Sequence, residues 1–178
     1  REDYAQTRLS NAALEFIETT DEQPFFLYLA YASPHAALQV PNEELASYST
    51  FDETPYTAIR NYLPHPKPRA ARAAMISNID RSVGAIMDRL EELGISDNTL
   101  IIFSSDNGPT PEGGGDVEFF DSNSIYRGYK RDLYEGGIRM PTLARWPGRI
   151  QPGSRSDHVS AFWDLMPCLL YTSDAADE

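Results

Sequence analysis

Met75, Ile79, Val83, Ile86, Leu90 and Leu93 step by four, four, three, four and three residues, the spacing of one helix face, and Gly94 follows as a C-terminal stop. Asp97-Asn98 then turns the chain into LIIFSSDN, residues 100–107, a β-branched and aromatic run that reads as a buried strand. A long helix, a short turn and a buried strand make an αβ unit, and such units bury their apolar faces in a sheet covered by helices. The strand ends in Asp106-Asn107-Gly108, which carries a carboxylate and an amide carbonyl into a turn at the strand's C-terminal edge. Open α/β sheets hold ligands at that edge. Both groups are hard oxygen donors of the kind calcium or magnesium takes. Alone, the same three residues are also the commonest turn formers, so the rest of the chain has to decide between the two readings.

Upstream, Leu9, Ala13, Phe16 and Ile17 form the stripe of an amphipathic helix over about residues 8–19, ended by Asp21-Glu22-Gln23-Pro24. The run FFLYLAYA, residues 25–32, is almost wholly apolar and reads as a central strand covered on both faces. Ser33-Pro34 stops it, because proline cannot continue a central ladder, and His35 falls in the loop just past the strand's end. That is the same edge as Asp106 if the two strands are parallel. Residues 41–69 carry five prolines and no sustained period, an ordered surface excursion with short helical turns that can help shape a substrate cleft.

After Asn107 the chain enters GPTPEGGGDVEFFDSN. Its three consecutive glycines are a weak phosphate-cradle signal, since no Gly-Lys-Ser/Thr follows. Gly136-Gly137 reads as a tight turn, residues 142–146 as a short buried strand, and residues 160–167 as the start of another apolar segment.

Net charge is -12 over 178 residues, which argues against nonspecific binding to nucleic acid or to an anionic membrane surface. No apolar run is long enough to cross a bilayer. The chain opens on Arg1-Glu2-Asp3, so its N-terminus reads as an interior cut. Residues 168–178, CLLYTSDAADE, back-translate into the reverse-complement read of a common transposon sequencing adaptor, as found at the ends of translated metagenomic fragments. They are expected not to be biological and are excluded from fold reasoning. The only cysteine, Cys168, falls among them, so cysteine count says nothing about redox compartment.

Three stretches, PFFLYLAYASPH, FSSDNGP and GYKRDLYEGGIRMPTLARWPG, in this order and register, resemble the type I sulfatases of the alkaline phosphatase superfamily over about residues 24–167. The resemblance implies an α/β sandwich, a mixed and mostly parallel sheet flanked by helices, with the active site at strand C-terminal ends. Residues 1–167 would be the central to C-terminal portion of that catalytic domain, truncated at both ends. By position it implies Asp106 and Asn107 as two ligands of a divalent cation, usually calcium. It implies Lys130 as the lysine that contacts sulfate, and His35 as the histidine that hydrogen-bonds sulfate and assists the leaving oxygen. Such groups suit a sulfate ester, whose negative charge grows on bridging and nonbridging oxygens as the S–O bond breaks. His65 and His158 match no functional position, and Glu135 and Arg139 are expected to brace the turn.

The family's nucleophile is a formylglycine made from the Cys or Ser of a C/S-x-P-x-R motif, which this chain lacks; Cys168 is followed by Leu-Leu and cannot stand in. The nucleophile and the remaining metal ligands are expected upstream. The implied function is hydrolysis of a sulfate ester, on a sulfated carbohydrate or an aryl sulfate, by an enzyme of the periplasm or extracellular space. The chain alone is expected to be inactive, with unpaired sheet edges and an uncovered apolar face. The alternatives are a phosphodiesterase or phosphonate monoester hydrolase of the same superfamily, or a noncatalytic binder of sulfated glycans.

Overall fold

A computed structural model describes residues 4–20, 23–57 and 62–171. Helix α1 (Ala5–Thr19) forms where the apolar stripe places it and buries Ala13 and Ile17. Of its expected terminator, Asp21-Glu22-Gln23-Pro24, the first two residues lie outside the described residues. Helix α2 (Pro68–Glu92) begins earlier than the stepping of large side chains suggests. Its first turns bury Ala70, Ala71 and Ala74, whose small side chains let neighbours approach closely. Pro68 suits the helix start, where a backbone N–H has no helical partner to lose. The next two donors, the N–H groups of Arg69 and Ala70, give hydrogen bonds of 3.1 and 2.8 Å to the two Glu53 carboxylate oxygens. At the other end Gly94, at φ +71, closes the helix in the left-handed conformation that only glycine adopts freely.

The core centres on α2. Leu38, Ala71 and Met75 pack together with Val40 and Leu45, while Leu90 is the largest fully buried side chain. Helix α1 docks on α2 through Ser82, whose hydroxyl bonds the Ser10 hydroxyl at 2.6 Å and the Tyr31 hydroxyl at 2.5 Å. The proline-rich excursion is ordered, as expected, with a 3₁₀ helix at Asn42–Tyr48 and a bridge between Tyr56 and His65.

Strands β1 (Ile101–Ser104) and β2 (Thr142–Arg145) pair antiparallel, Ile101 opposite Arg145 and Ser104 opposite Thr142. This is the one ladder among the described residues, an antiparallel pair of the kind that the expected mixed sheet can contain. Neither strand is buried: Phe103 is 40% exposed and Leu143 64% exposed. The apolar composition was read correctly, but a two-stranded ribbon has too few neighbours to cover both faces.

Residues 25–32 correct the reading of a central strand more sharply. They run without a ladder, and their burial alternates. Phe25, Leu27, Leu29 and Tyr31 are partly covered, whereas Phe26 is 84% and Tyr28 79% exposed. The covered face meets α1 and α2, with the Phe25 ring edge-on to Phe16 at 5.9 Å. An apolar run signals that both faces can be buried, not that both are.

Gly136 and Gly137 lie in a short helical turn, α3 (Glu135–Ile138), rather than in a bare reverse turn. Near the C-terminus a 3₁₀ turn (Phe162–Asp164) leads into α4 (Leu165–Tyr171), which runs past Pro167 into the excluded tail.

Candidate active site

The site is built on interlocked backbone. Beyond β1, the Gly108 N–H donates to the Gly137 carbonyl at 2.9 Å, and the Lys130 N–H donates to the Pro109 carbonyl at 2.8 Å. The Gly136 N–H donates to the Arg127 carbonyl at 2.8 Å. There is no room for side chains at these crossings. A Cβ on Gly108 would fall on the Gly136 carbonyl oxygen, one on Gly136 against the Gly128 carbonyl, and one on Gly137 against the Asp132 carbonyl. The glycines of Asp-Asn-Gly and Glu-Gly-Gly are therefore close-approach residues, and they dock the loop carrying Asp106 and Asn107 onto the loop carrying Lys130.

Asp106 is exposed and Asn107 partly buried. Among the described residues neither side chain has a hydrogen-bond or ion-pair partner. A carboxylate and an amide so placed fit as two of the six to eight oxygen ligands of a calcium ion. The described residues contain no group of three or more His, Cys, Asp or Glu able to hold a metal.

Lys130 is partly buried, and its charge acts on Glu112, in the glycine-rich loop. The hydrogen bond from Arg131 is the main cause that holds the Glu112 carboxyl below its ordinary value, with Lys130 adding to it. Glu112 also accepts a hydrogen bond of 3.3 Å from the Tyr62 hydroxyl. His35 stands at the other end of this chain of contacts, its ring edge-on to Tyr62 at 5.9 Å. Its Nδ1 lies 2.5 Å from the Ala36 carbonyl oxygen, an acceptor, so Nδ1 is the donor of that hydrogen bond. The His35 loop rides on the glycine-rich loop: a Cβ on Gly113, at φ +63, would fall on the Ala36 Cβ.

His35, Tyr62, Glu112 and the Lys130–Arg131 pair thus form one network, and the Gly108–Gly137 bond ties Asp106 and Asn107 to the same loops. Tyr62 and Glu112 were not singled out from the sequence. The glycine-rich loop was seen as a feature, but only its contact with Tyr62 and Arg131 gives Glu112 a role. His65 and His158 behave as ordinary loop residues. The Nδ1 of His65 accepts the Lys67 N–H at 3.0 Å, and burial pushes its imidazole below the ordinary value. His158 is exposed. Arg139 braces the turn as expected, 3.3 Å from Glu135 and lying 4.9 Å over the Tyr126 ring.

The profile of the family described as Sulfatase matches residues 2–174. Steryl-sulfatase of Rattus norvegicus is 32% identical over 162 residues, covering 90% of this chain and 25% of that protein. N-acetylgalactosamine-6-O-sulfatase of Bacteroides thetaiotaomicron is 32% identical over 153 residues, 83% of this chain and 26% of that protein. The chain therefore spans about a quarter of the length of these curated relatives. Among solved structures, Ps i-CgsB in complex with k-i-k-neocarrahexaose superposes with a TM-score of 0.79 at 32% identity, over 95% of this chain and 34% of that one. Its fold is the alkaline-phosphatase-like α/β sandwich expected from the motifs. The chain belongs to the sulfatase family, as a type I sulfatase of the alkaline phosphatase superfamily.

Proposed function

We propose that this chain belongs to a larger enzyme that hydrolyses sulfate esters. The observation that carries the reading is the docking of the Asp106–Asn107 loop onto the Lys130 loop through the Gly108–Gly137 and Lys130–Pro109 hydrogen bonds. In this reading the Lys130 ammonium pairs with nonbridging sulfate oxygens, and His35 supplies a proton from Nε2 to the leaving alcohol oxygen. Asp106 and Asn107 are two of the ligands of a calcium ion. When bound, such a cation neutralises charge on the sulfate oxygens. The attacking group is a formylglycine on a segment preceding Arg1.

The substrate class is a sulfated small molecule or glycan. The named relatives, a steryl-sulfatase and an N-acetylgalactosamine-6-O-sulfatase, and the oligosaccharide-bound neighbour support it. These names favour sulfate over the phosphodiesterase or phosphonate alternatives and over a noncatalytic glycan binder. No helix among the described residues is long and apolar enough to cross a membrane, and the proposed location is the periplasm or the extracellular space.

The test uses the full-length protein. Lys130→Ala is expected to lower kcat/KM on a sulfate ester by about two to three orders of magnitude, the scale for losing a group aimed at developing charge. Circular dichroism should show the fold unchanged, and near-normal turnover would remove Lys130 from its role. Asp106→Ala should purify without calcium by elemental analysis; one calcium per chain in that variant would overturn the ligand assignment.

A further inference from the structure

The crossing of the two site loops is gripped at three consecutive residues. The Gly108 N–H donates to the Gly137 carbonyl, and the Pro109 carbonyl accepts from the Lys130 N–H. The Thr110 carbonyl accepts from the Arg72 guanidinium, with Nη1 3.5 Å away. The first two bonds tie the loops to each other. The third ties them to α2, and among the described residues it is the one hydrogen bond from that helix to residues 106–115.

Arg72 comes from the most firmly packed turns of the helix. Ala70, Ala71 and Ala74 around it are fully buried, and Arg72 itself is 8% exposed. A bond of 3.5 Å is long, but packing also holds the two groups against each other. A Cβ on Gly115 would fall 2.3 Å from the Thr110 carbonyl oxygen and 2.9 Å from the Arg72 Nη1. The Phe120 ring bears on the same guanidinium, 5.5 Å from its Cζ. Thr110 passes the constraint on, since its hydroxyl accepts the Glu112 N–H at 3.2 Å.

Stability alone does not account for an arginine here. Burial disfavours its charged form, and the charge of Asp116 acts against that effect without being its equal. Asp116 takes its own hydrogen bonds from Arg69 and from the Phe119 N–H. The buried Nε–H of Arg72 has no partner among the described residues. A buried cation paired so lightly gains little that an apolar side chain of similar shape would not. What an apolar side chain could not do is hold the Thr110 carbonyl.

We infer that Arg72 is a positioning residue, which fixes the Pro109–Thr110 peptide from α2 and thereby aims Lys130 at sulfate. The inference rests on the sulfate-ester reading and deepens it. With the anchor gone the substrate still binds, but the ammonium is displaced from the charge that grows as the S–O bond breaks. The loss therefore falls on kcat more than on KM.

The experiment uses the full-length protein, an aryl sulfate and a sulfated galactose as substrates, and the variants Arg72→Met and Arg72→Ala. Arg72→Met keeps the apolar stem and is expected to melt at or above the native temperature. Its kcat should fall by about tenfold to a hundredfold, the scale of a small misplacement, with KM within about twofold of native. Millimolar guanidinium should restore the kcat of Arg72→Ala severalfold and leave the native protein unchanged. Native kcat in Arg72→Met, a loss confined to KM, or a loss in Arg72→Ala that guanidinium does not relieve would overturn the assignment. If the native protein hydrolyses neither substrate, the sulfate-ester reading fails, and hydrogen exchange read by NMR decides the anchor separately. Faster exchange of the Lys130 and Glu112 amides in Arg72→Met, with α2 still protected, upholds it; exchange equal to native overturns it.

Discussion

At the scale of single residues, the site depends on atoms that are missing. Gly108 needs no left-handed backbone; it is glycine because any Cβ would collide with the Gly136 carbonyl. Gly108→Ala must push the docked loops away from each other and strain the hydrogen bond to Gly137, a case of overpacking that costs about 1–3 kcal/mol. Urea denaturation of the purified variant should show that loss, and an unchanged midpoint would mean the loops have slack. Arg131 is the opposite case. It holds φ +81 with a side chain present, and its ion pair with Glu112 is largely exposed. Left-handed backbone costs a nonglycine residue about 1–2 kcal/mol, whereas an exposed pair screened by solvent adds little. Arg131→Ala keeps the strain and loses the pair; Arg131→Gly loses the pair but also the strain. The glycine variant is expected to be the more stable by about 0.5–1 kcal/mol after its greater unfolded-state entropy is counted, and the reverse order in denaturation would contradict a strained Arg131. Asp-Asn-Gly and Glu-Gly-Gly were legible as places where the chain turns. Their mutual docking was not, because no local pattern records which distant carbonyl a glycine must admit.

At the scale of elements, legibility followed side-chain size. The amphipathic stripe of large residues located α1 and the C-terminal half of α2, and Gly94 marked where α2 ends. The first turns of α2 escaped because their buried face is alanine, whose small size carries little periodic signal but permits the contact with Leu38. That end of α2 is also where Glu53 and Asp116 converge, the first on the helix N-terminus and the second on Arg69. Asp116 is held below its ordinary value first by the Phe119 N–H and then by Arg69. A carboxyl depressed in the folded state binds its proton more readily when unfolded, so it stabilises the fold above the ordinary value of 3.8, and that stability is lost as pH falls through the depressed value. Because Asp116 keeps some contact with solvent, its contribution is screened to about 1 kcal/mol. Asp116→Asn should therefore melt below the native chain at pH 6, with the gap closing below about pH 4. A gap independent of pH would assign the effect to packing instead.

At the scale of the whole molecule, residues 25–32 show how far a sequence pattern can reach. Their composition says strand; their alternating burial says that one face is in place, against α1 and α2, while Phe26 and Tyr28 stand in solvent. An extended segment without a ladder keeps its N–H groups open to water, so its amides in this chain should exchange nearly as fast as in an unstructured peptide. The chain covers only about a quarter of its relatives' length, and large apolar faces on soluble proteins are normally covered. If the rest of a sulfatase supplies neighbouring strands, the same amides become ladder donors and exchange only through global or subglobal opening. Hydrogen exchange read by mass spectrometry on the 178-residue chain and on the full-length protein separates the two cases. Slowing by at least about three orders of magnitude at residues 25–32 in the full-length protein, with α2 protected in both, is the expected outcome. Equal exchange in the two proteins would mean that the segment is an extended strap over the helices in its final state, and that His35 reaches the site from a loop rather than from the end of a paired strand.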